Sequence, residues 1–392
     1  MTTTRSVESA MSAPDADESL STRLFAAHEE AAAFFACRLR SRAGAGPRDY
    51  LARRGFGDVI GSPVWEVGYA PPRWTELTEH LRREGLSDSE ISASGLGLST
   101  RRSTVVDRFR DRITFGVRDE HGQVIAFIGR AAPRAGGVPR YLNSPRSLLY
   151  DKSAVLFGLG DQRSQLASNG VPVIVEGPLD AMAVSLASAT GVDLLLGVAP
   201  CGTALTTTQV DALARVTAGP VLVAFDADPA GMAAAVRSRA ALAPSISTAV
   251  PAVRLPPGAD PASILEERGP AGLRGVLAQT TPLVDLVVDE VLRRCAHHLD
   301  NAEARLCALR EVAPTVASLP HKDVARQAAR LGSLLDFDHQ TVARELAEAA
   351  SPARPRPQRG NGQRYAQVAP PSGQPRLSTG ELKVTRAAGG QA

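Results

Sequence analysis

"VLVAFDADPAG", residues 221–231, holds the pattern on which the fold turns. An apolar run, Val221 to Phe225, wants burial, and two carboxylates follow one residue apart at Asp226 and Asp228. Acids that close repel unless a cation or a hydrogen-bond network compensates them. One reading is a solvated turn, for which Asp-Pro-Ala-Gly has the right chemistry. The other is a metal site at the end of a buried strand.

The surroundings repeat the pattern. "VPVIVEG" reads as an apolar strand and "LDAMAVSLASATG" as a helix; "VDLLLGVAP" is a strand, and "TTTQVDALARVTAG" is a helix with a capping box at Thr206 and Gln209. "AGMAAAVRSRAALAP" continues the alternation as a helix and "STAVPAVRLP" as a last strand. Continuous apolar strands joined by helices predict a parallel sheet covered on both faces, of α/β class. Such sheets bind ligands at the carboxyl ends of their strands.

Both acidic motifs sit at such ends. Glu176, with Asp180 one helical turn on, ends one strand; Asp226 and Asp228 end another; Asp260 follows the last strand in "PPGADPAS". Gly177 and Gly231 come just after the first two motifs, where the chain must turn and a ligand must approach. Hard oxygen ligands of this kind suit Mg²⁺ or Mn²⁺. Each acid also has a plain structural role open to it. Asp180 can complement a helix dipole, Asp226 and Asp228 can form a turn, and Asp260-Pro261 can start a helix.

Upstream, helical patterns run from Leu24 to Leu39 after a Ser21/Thr22 cap, through "PRDYLARRG", through "WTELTEHLRREG", and from a Ser87/Glu90 capping box. The period then changes to that of a hairpin, Ile113 to Arg118 and Val124 to Gly129 about the turn "DEHG". Arg101, Arg102, Arg108, Arg110, Arg112, Arg118, Arg130, Arg134, Arg140 and Arg146 crowd this region. They predict either a solvated face or a nucleic-acid contact. Aromatic residues are few there (Phe109, Phe115, Phe127, Tyr141), so base stacking is expected to be minor. Residues 280–350 read as helical, and 351–392 as a disordered basic Pro/Gly-rich tail.

The bulk numbers narrow the class. The 392 residues carry a net charge of +3, and nearly all the cations are arginine; the only lysines are Lys152, Lys322 and Lys383. An ammonium meets a phosphate as a point charge, which singles out Lys152 in its loop. No apolar run approaches the ~18 residues of a membrane span, and "MTTTRSVESAMSAPDADESLST" lacks the apolar region of a secretory signal. A cytoplasmic protein with no membrane partner is expected. Cys37, Cys201, Cys295 and Cys307 form no paired motif, so no zinc is expected despite His297 and His298; Cys295 and Cys307 read as small buried helix residues.

"EGPLD" at 176–180 and "DADPAG" at 226–231 resemble the E-G-x-x-D and D-x-D-x-x-G motifs of the Toprim domain. "CGTALTTTQ" between them, and upstream "DRFRDRITFGVRDEHGQVIAFIGR" and "PRYLNSPRSLLYDKSAVLFGL", resemble the RNA-polymerase core of bacterial DnaG-type primases. The resemblance covers about residues 24–345. It implies a mixed α+β basic subdomain (23–160), a Toprim catalytic domain with a Rossmann-like parallel sheet (165–268) and a helical subdomain (269–350), with 1–22 disordered. It implies metal-dependent synthesis of short RNA primers from NTPs on single-stranded DNA. Glu176 matches the essential glutamate, Asp226, Asp228 and Asp260 match metal-binding acids, and Asp180 supports them. Arg130, Arg140, Tyr141, Asn143 and Lys152 match a ridge for template or nucleotide phosphates, and Arg108 and Arg112 lie in its basic approach. An RNA–DNA primer duplex is the implied product.

Departures from the family pattern are visible. The later D-P-D segment reads Asp260-Pro261-Ala262, and Gly116 stands where proline is common. No zinc-binding template-recognition module precedes the matching stretch and no helicase-binding domain follows it. Site choice and recruitment are therefore expected either to come from other proteins, such as a replicative helicase or a separate initiation factor, or to be weak. A Toprim nuclease and a catalytically weak DNA-binding replication adaptor stay open as alternatives.

Overall fold

The structure, a computed structural model, describes residues 13–351 apart from 133–136, 189–193, 203, 227–228, 243–249, 296–299 and 320. The readings made for Asp228, Arg134, His297, His298, the first twelve residues and the tail from 352 lie outside the described residues.

The chain opens with helix α1 (Ala13–Arg40). It starts before the cap read at Ser21/Thr22, within the segment expected to be disordered. Thr22 does not cap; its hydroxyl donates to the Glu18 carbonyl inside the helix, 3.0 Å away. Leu24, His28, Ala31, Phe35 and Leu39 form its buried stripe, spaced for one helical face. Then come α2 (Ala45–Arg53), strand β1 (Val67–Ala70), α3 (Glu76–Arg83) and α4 (Asp88–Ala93), the last with the Ser87/Glu90 capping box read from the sequence. A small ribbon of β2 (Gly97–Ser99) and β3 (Val105–Asp107) leads to the hairpin β4 (Arg112–Arg118) and β5 (Val124–Ala131), followed by β6 (Tyr141–Asn143). These make an antiparallel sheet in the order β1-β4-β5-β6. Gly122, at φ +81°, turns the hairpin, and Asp119 accepts the His121 and Gln123 N–H groups, both at 2.9 Å.

The second sheet gathers β7 (Leu156–Phe157), β8 (Val171–Ile174), β9 (Leu195–Pro200), β10 (Leu222–Val223), β11 (Pro251–Val253) and β12 (Thr280–Pro282). Between them run α5 (Arg163–Ala167), α6 (Pro178–Ser188), α7 (Thr207–Ala214), α8 (Pro229–Leu242) and α9 (Pro261–Leu277), which is broken at Gly269-Pro270. The order is β12-β11-β10-β8-β9-β7. The central four strands are parallel, as expected, and both edges are antiparallel. The edges cross the boundaries expected near 160–165 and 268: β7 comes from the upstream stretch and β12 from the downstream one. β7 is apolar and buried (Leu156, Phe157), whereas β12 is a short Thr-Thr-Pro strand; each pairs antiparallel at one edge of the sheet. The core is correspondingly continuous, running from Phe115 and Phe157 to Val173 and Leu179.

Helices α10 (Leu283–Cys295), α11 (Ala302–Ala317), α12 (His321–Leu335) and α13 (His339–Ala350) bury their own cluster around Val288, Leu309, Leu331 and Leu346. Cys307 is exposed and Cys295 only half-buried, against the expectation of two buried cysteines. The buried stripe of α11 is Ala308, Leu309, Val312, Ala313 and Val316, which turns position 307 outward.

Candidate active site

The order in which strands are laid down reverses at β8, between β9 on one side and β10 on the other. The segment after β8 crosses to β9 on one side, and the chain then returns to place β10 on the other. Val173 lies opposite Leu222 and Ile174 opposite Val223, so the two strands deliver their carboxyl ends to one crevice. Glu176 leaves β8 there and Asp226 leaves β10. A carboxylate oxygen of Glu176 (Oε1) accepts the Asp226 N–H at 3.2 Å. Gly231 makes this approach possible: a Cβ at that position would stand 2.1 Å from the Asp226 carbonyl oxygen and 2.7 Å from Glu176 Oε1.

Asp180 is buried in the first turn of α6 and accepts the Ala262 N–H at 3.2 Å. Burial pushes its carboxyl up to about 7, and repulsion from Asp260 and Glu176 adds to the shift. Asp260 performs the structural role open to it, capping α9 by accepting the Ser263 N–H at 2.6 Å. It also faces the crevice. Glu176, Asp180, Asp226 and Asp260 line a cleft of about 220 Å³ together with Arg140, Tyr141 and Asn143. Position 262, where the sequence lacks a second acid, is buried in the start of α9.

The basic residues divide into two groups. Arg140 is exposed at the cleft, while Tyr141 and Asn143 reach it from β6. Asn143 donates to the Cys201 carbonyl at 3.0 Å, and its Oδ1 has no hydrogen-bond partner among the described residues. Gly202, at φ +79°, passes so close that a Cβ there would lie 2.4 Å from the Asn143 amide nitrogen. Arg130 is buried and donates to the Tyr141 hydroxyl at 2.6 Å. Arg108 and Arg112 are turned to backbone instead. Arg108 donates twice to the Asn143 carbonyl, at 3.1 and 2.8 Å, and the buried Arg112 donates to the Gly129 and Pro139 carbonyls. Both therefore brace β6 and the connection that leads to it. Lys152 is exposed outside the cleft lining, its backbone carbonyl held by Gln209 at 2.9 Å.

Among the described residues, no three acids, histidines or cysteines converge closely enough to form a metal-binding group by themselves. A larger cavity of about 470 Å³ lies between β11 and α10, lined by residues such as Phe225, Leu283 and Leu286, and shares no residue with the cleft.

Comparison with known proteins accords with this geometry. The family described as DNA primase catalytic core, N-terminal domain, matches residues 34–163, and the Toprim-like family matches residues 173–265. The solved RNA polymerase domain of the Mycobacterium tuberculosis primase DnaG is 32% identical with a TM-score of 0.68, covering 79% of this chain and 97% of that one. The chain belongs to the bacterial DnaG-type primase family. The same Mycobacterium tuberculosis domain in complex with a double-stranded DNA oligomer bearing a 6-nucleotide overhang aligns at 33% identity and a TM-score of 0.66, covering 81% of this chain and 98% of that one. The DNA primase of Mycolicibacterium smegmatis is 34% identical over 368 residues, 91% of this chain and 56% of that protein. That of Streptomyces coelicolor is 34% identical over 85% and 52% respectively. The chain thus spans about half the length of the curated relatives it matches. Enzymes of the Toprim fold generally use Mg²⁺ or Mn²⁺. No described helix of this primase core is long and apolar enough to cross a membrane.

Sequence reasoning passed over three residues near these surfaces. Tyr50 and Arg54 of the "YLARR" segment stand one helical turn apart, Arg54 against the Tyr50 ring and that ring against Arg130. The i, i+4 spacing was the available signal. Trp74 is 63% exposed with the Arg110 guanidinium 4.2 Å from its ring centre, an exposed aromatic in the basic region.

Proposed function

We propose that this chain is the polymerising core of a primase, joining ribonucleotides into short RNA on a single-stranded DNA template. The observation that carries this reading is one cleft holding Glu176, Asp180, Asp226 and Asp260 beside Arg140, Tyr141 and Asn143. The reaction is attack of a 3′-hydroxyl on the α-phosphorus of an NTP, with pyrophosphate leaving.

The donor set fits a divalent cation. All the acids offer hard oxygens, and the repulsion felt by Asp180 is of the kind a cation relieves. Glu176, Asp226 and Asp260 would hold Mg²⁺ or Mn²⁺, with Asp228, outside the described residues, as a further ligand. When bound, the metal supplies activation of the nucleophile and neutralises charge on the leaving group. Glu176 keeps its carboxylate at the cleft through the Asp226 N–H. Arg140 offers a guanidinium to a substrate phosphate. Asn143 holds the wall of the cleft beside them through its bond to the Cys201 carbonyl.

Single-stranded template is drawn by exposed cations, including Arg101, Arg102, Arg140 and Lys152, and a base stacks on Trp74. NTPs and the RNA–DNA duplex are the remaining ligands, and a replicative helicase or initiation factor brings the core to its template. Purified chain, single-stranded DNA, four rNTPs and Mg²⁺ or Mn²⁺ test the reading against a Glu176→Gln control. Short RNA made only by the wild type supports it. Glu176-dependent shortening of the template makes the chain a nuclease, and DNA binding without either product, even from a preformed primer, makes it an adaptor.

A further inference from the structure

Tyr141 and Arg140, which line the cleft, form the end of a longer stack of alternating cations and rings. On α9 the Glu266 carboxylate accepts Arg54 Nε–H at 2.7 Å. Arg54 lies 5.9 Å from the Tyr50 ring centre and donates to the Tyr50 hydroxyl at 3.2 Å. Arg130 comes next, 5.5 Å from the Tyr50 ring and 5.3 Å from the Tyr141 ring. Arg140 ends the series, 5.7 Å from the Tyr141 ring. A methyl group placed on Gly177 would stand 3.9 Å from the Tyr141 hydroxyl, so the stack terminates beside the loop that carries Glu176.

We propose that Tyr50 is a positioning residue that acts through Arg130 and Tyr141 to hold Arg140 and the Tyr141 hydroxyl ready for a phosphate-bearing substrate. Tyr50 itself is on α2, among residues that line no part of the cleft. Arg130 is only 6% exposed, and a buried guanidinium needs its charge compensated. The described structure places no carboxylate in an ion pair with it; two ring faces and the Tyr141 hydroxyl do that work. Removing the Tyr50 ring takes away one of those faces. Arg130 then turns toward water, its bond to Tyr141 is lost, and the outer pair at the cleft loses its support. The hydroxyl of Tyr50 accepts from Arg54, whereas Arg130 meets the ring, so the ring matters for positioning more than the hydroxyl does.

The proposal rests on the primase reading for its substrate, and the phosphate in question belongs either to an NTP or to the nucleic acid. Tyr50→Leu removes the ring and Tyr50→Phe keeps it. Extension of a preformed primer gives kcat and KM for NTP, fluorescence anisotropy gives the Kd of a labelled single-stranded oligonucleotide, and thermal melting gives stability. Tyr50→Leu is expected to raise KM for NTP about five- to tenfold with kcat within about twofold, and Tyr50→Phe to restore it. A rise confined to the oligonucleotide Kd, again restored by Phe, upholds the proposal and assigns the phosphate to nucleic acid. Unchanged KM and Kd overturn it, as does a joint fall of kcat and melting temperature with neither KM nor Kd moved. If the wild type makes no RNA, the primase reading fails by itself, and binding of labelled ATP and oligonucleotide to the same variants still decides the role of Tyr50. Tyr50 is half-buried, so Tyr50→Gln replaces Tyr50→Leu should the latter not fold.

Discussion

The Glu176 carboxylate and the Asp226 backbone are joined across the two central parallel strands by a 3.2 Å hydrogen bond. The bond links two motifs fifty residues apart in sequence and fixes the distance between the acids they carry. It also separates two properties of Glu176, its charge and its ability to accept a hydrogen bond.

Glu176→Gln keeps the acceptor and removes the charge. Primer synthesis should fall at least about 100-fold, as expected when a group acting on developing charge is neutralised. Melting temperature should be no lower than wild type, because one of the acids repelling Asp180 is gone. Labelled RNA on a gel and a melting scan measure the two. A variant that loses activity only because it unfolds would remove Glu176 from the site.

Gly231→Ala places a Cβ where the Asp226 carbonyl and Glu176 Oε1 already stand, at 2.1 and 2.7 Å. One of these atoms is backbone, so the strand end must shift. Overpacking of this kind costs about 1–3 kcal/mol. Chemical denaturation should show that loss together with a collapse of primer extension. Wild-type activity in this variant would mean that the Glu176–Asp226 spacing does not matter.

His28 gives the fold a pH dependence remote from the cleft. Burial lowers its imidazole to about 4, opposed by the hydrogen bond to the Leu24 carbonyl at 2.8 Å. The unfolded chain takes up a proton near 6.5, which the folded chain refuses until about 4. Stability from this residue is therefore present above about 6.5 and lost as pH falls toward 4, by roughly 3 kcal/mol in all. Measured against His28→Phe, the wild type should lose stability as pH falls from 7 toward 4. Parallel curves would show that the folded chain binds the His28 proton as readily as the unfolded one.

Trp74→Ala should weaken binding of single-stranded DNA by about 1 kcal/mol or more, the scale of one stacked base. The salt dependence of binding should stay the same, since no cation is removed. Lys152→Ala should do the reverse, lowering the slope of affinity against salt. Fluorescence titrations at several salt concentrations read both. Equal binding by Trp74→Ala would leave the Trp74–Arg110 stack as a surface contact only.

The parallel sheet was legible because buried strands and amphipathic helices alternate with clear punctuation, and because Glu176 and Asp226 fall at strand ends. Capping boxes at Ser87 and Thr206 were equally plain, being local chemistry within four residues. The basic region was less so. Composition cannot distinguish Arg140, exposed at the cleft, from Arg112, buried against the Gly129 and Pro139 carbonyls, because an arginine's partner is often far away in sequence. For the same reason Trp74 and Tyr50 went unnoticed: one is exposed where aromatics are usually buried, and the other acts through residues eighty and more positions away.

By itself the sequence determined the alternation of strands and helices from β8 to β11, the placing of acids at strand ends, and the glycines that let the chain turn beside them; the strand at Thr280–Pro282, read as helical, it did not. These depend on period, caps and backbone freedom, all of which are local. Tertiary structure decided which strands became neighbours, that β7 and β12 close the edges of the sheet, and that Tyr141 and Asn143 of the first sheet complete a cleft begun by the second. It also decided that Asp180 sits buried beside Asp260, eighty residues on. Those outcomes follow from burial and mutual repulsion between groups that only folding brings together.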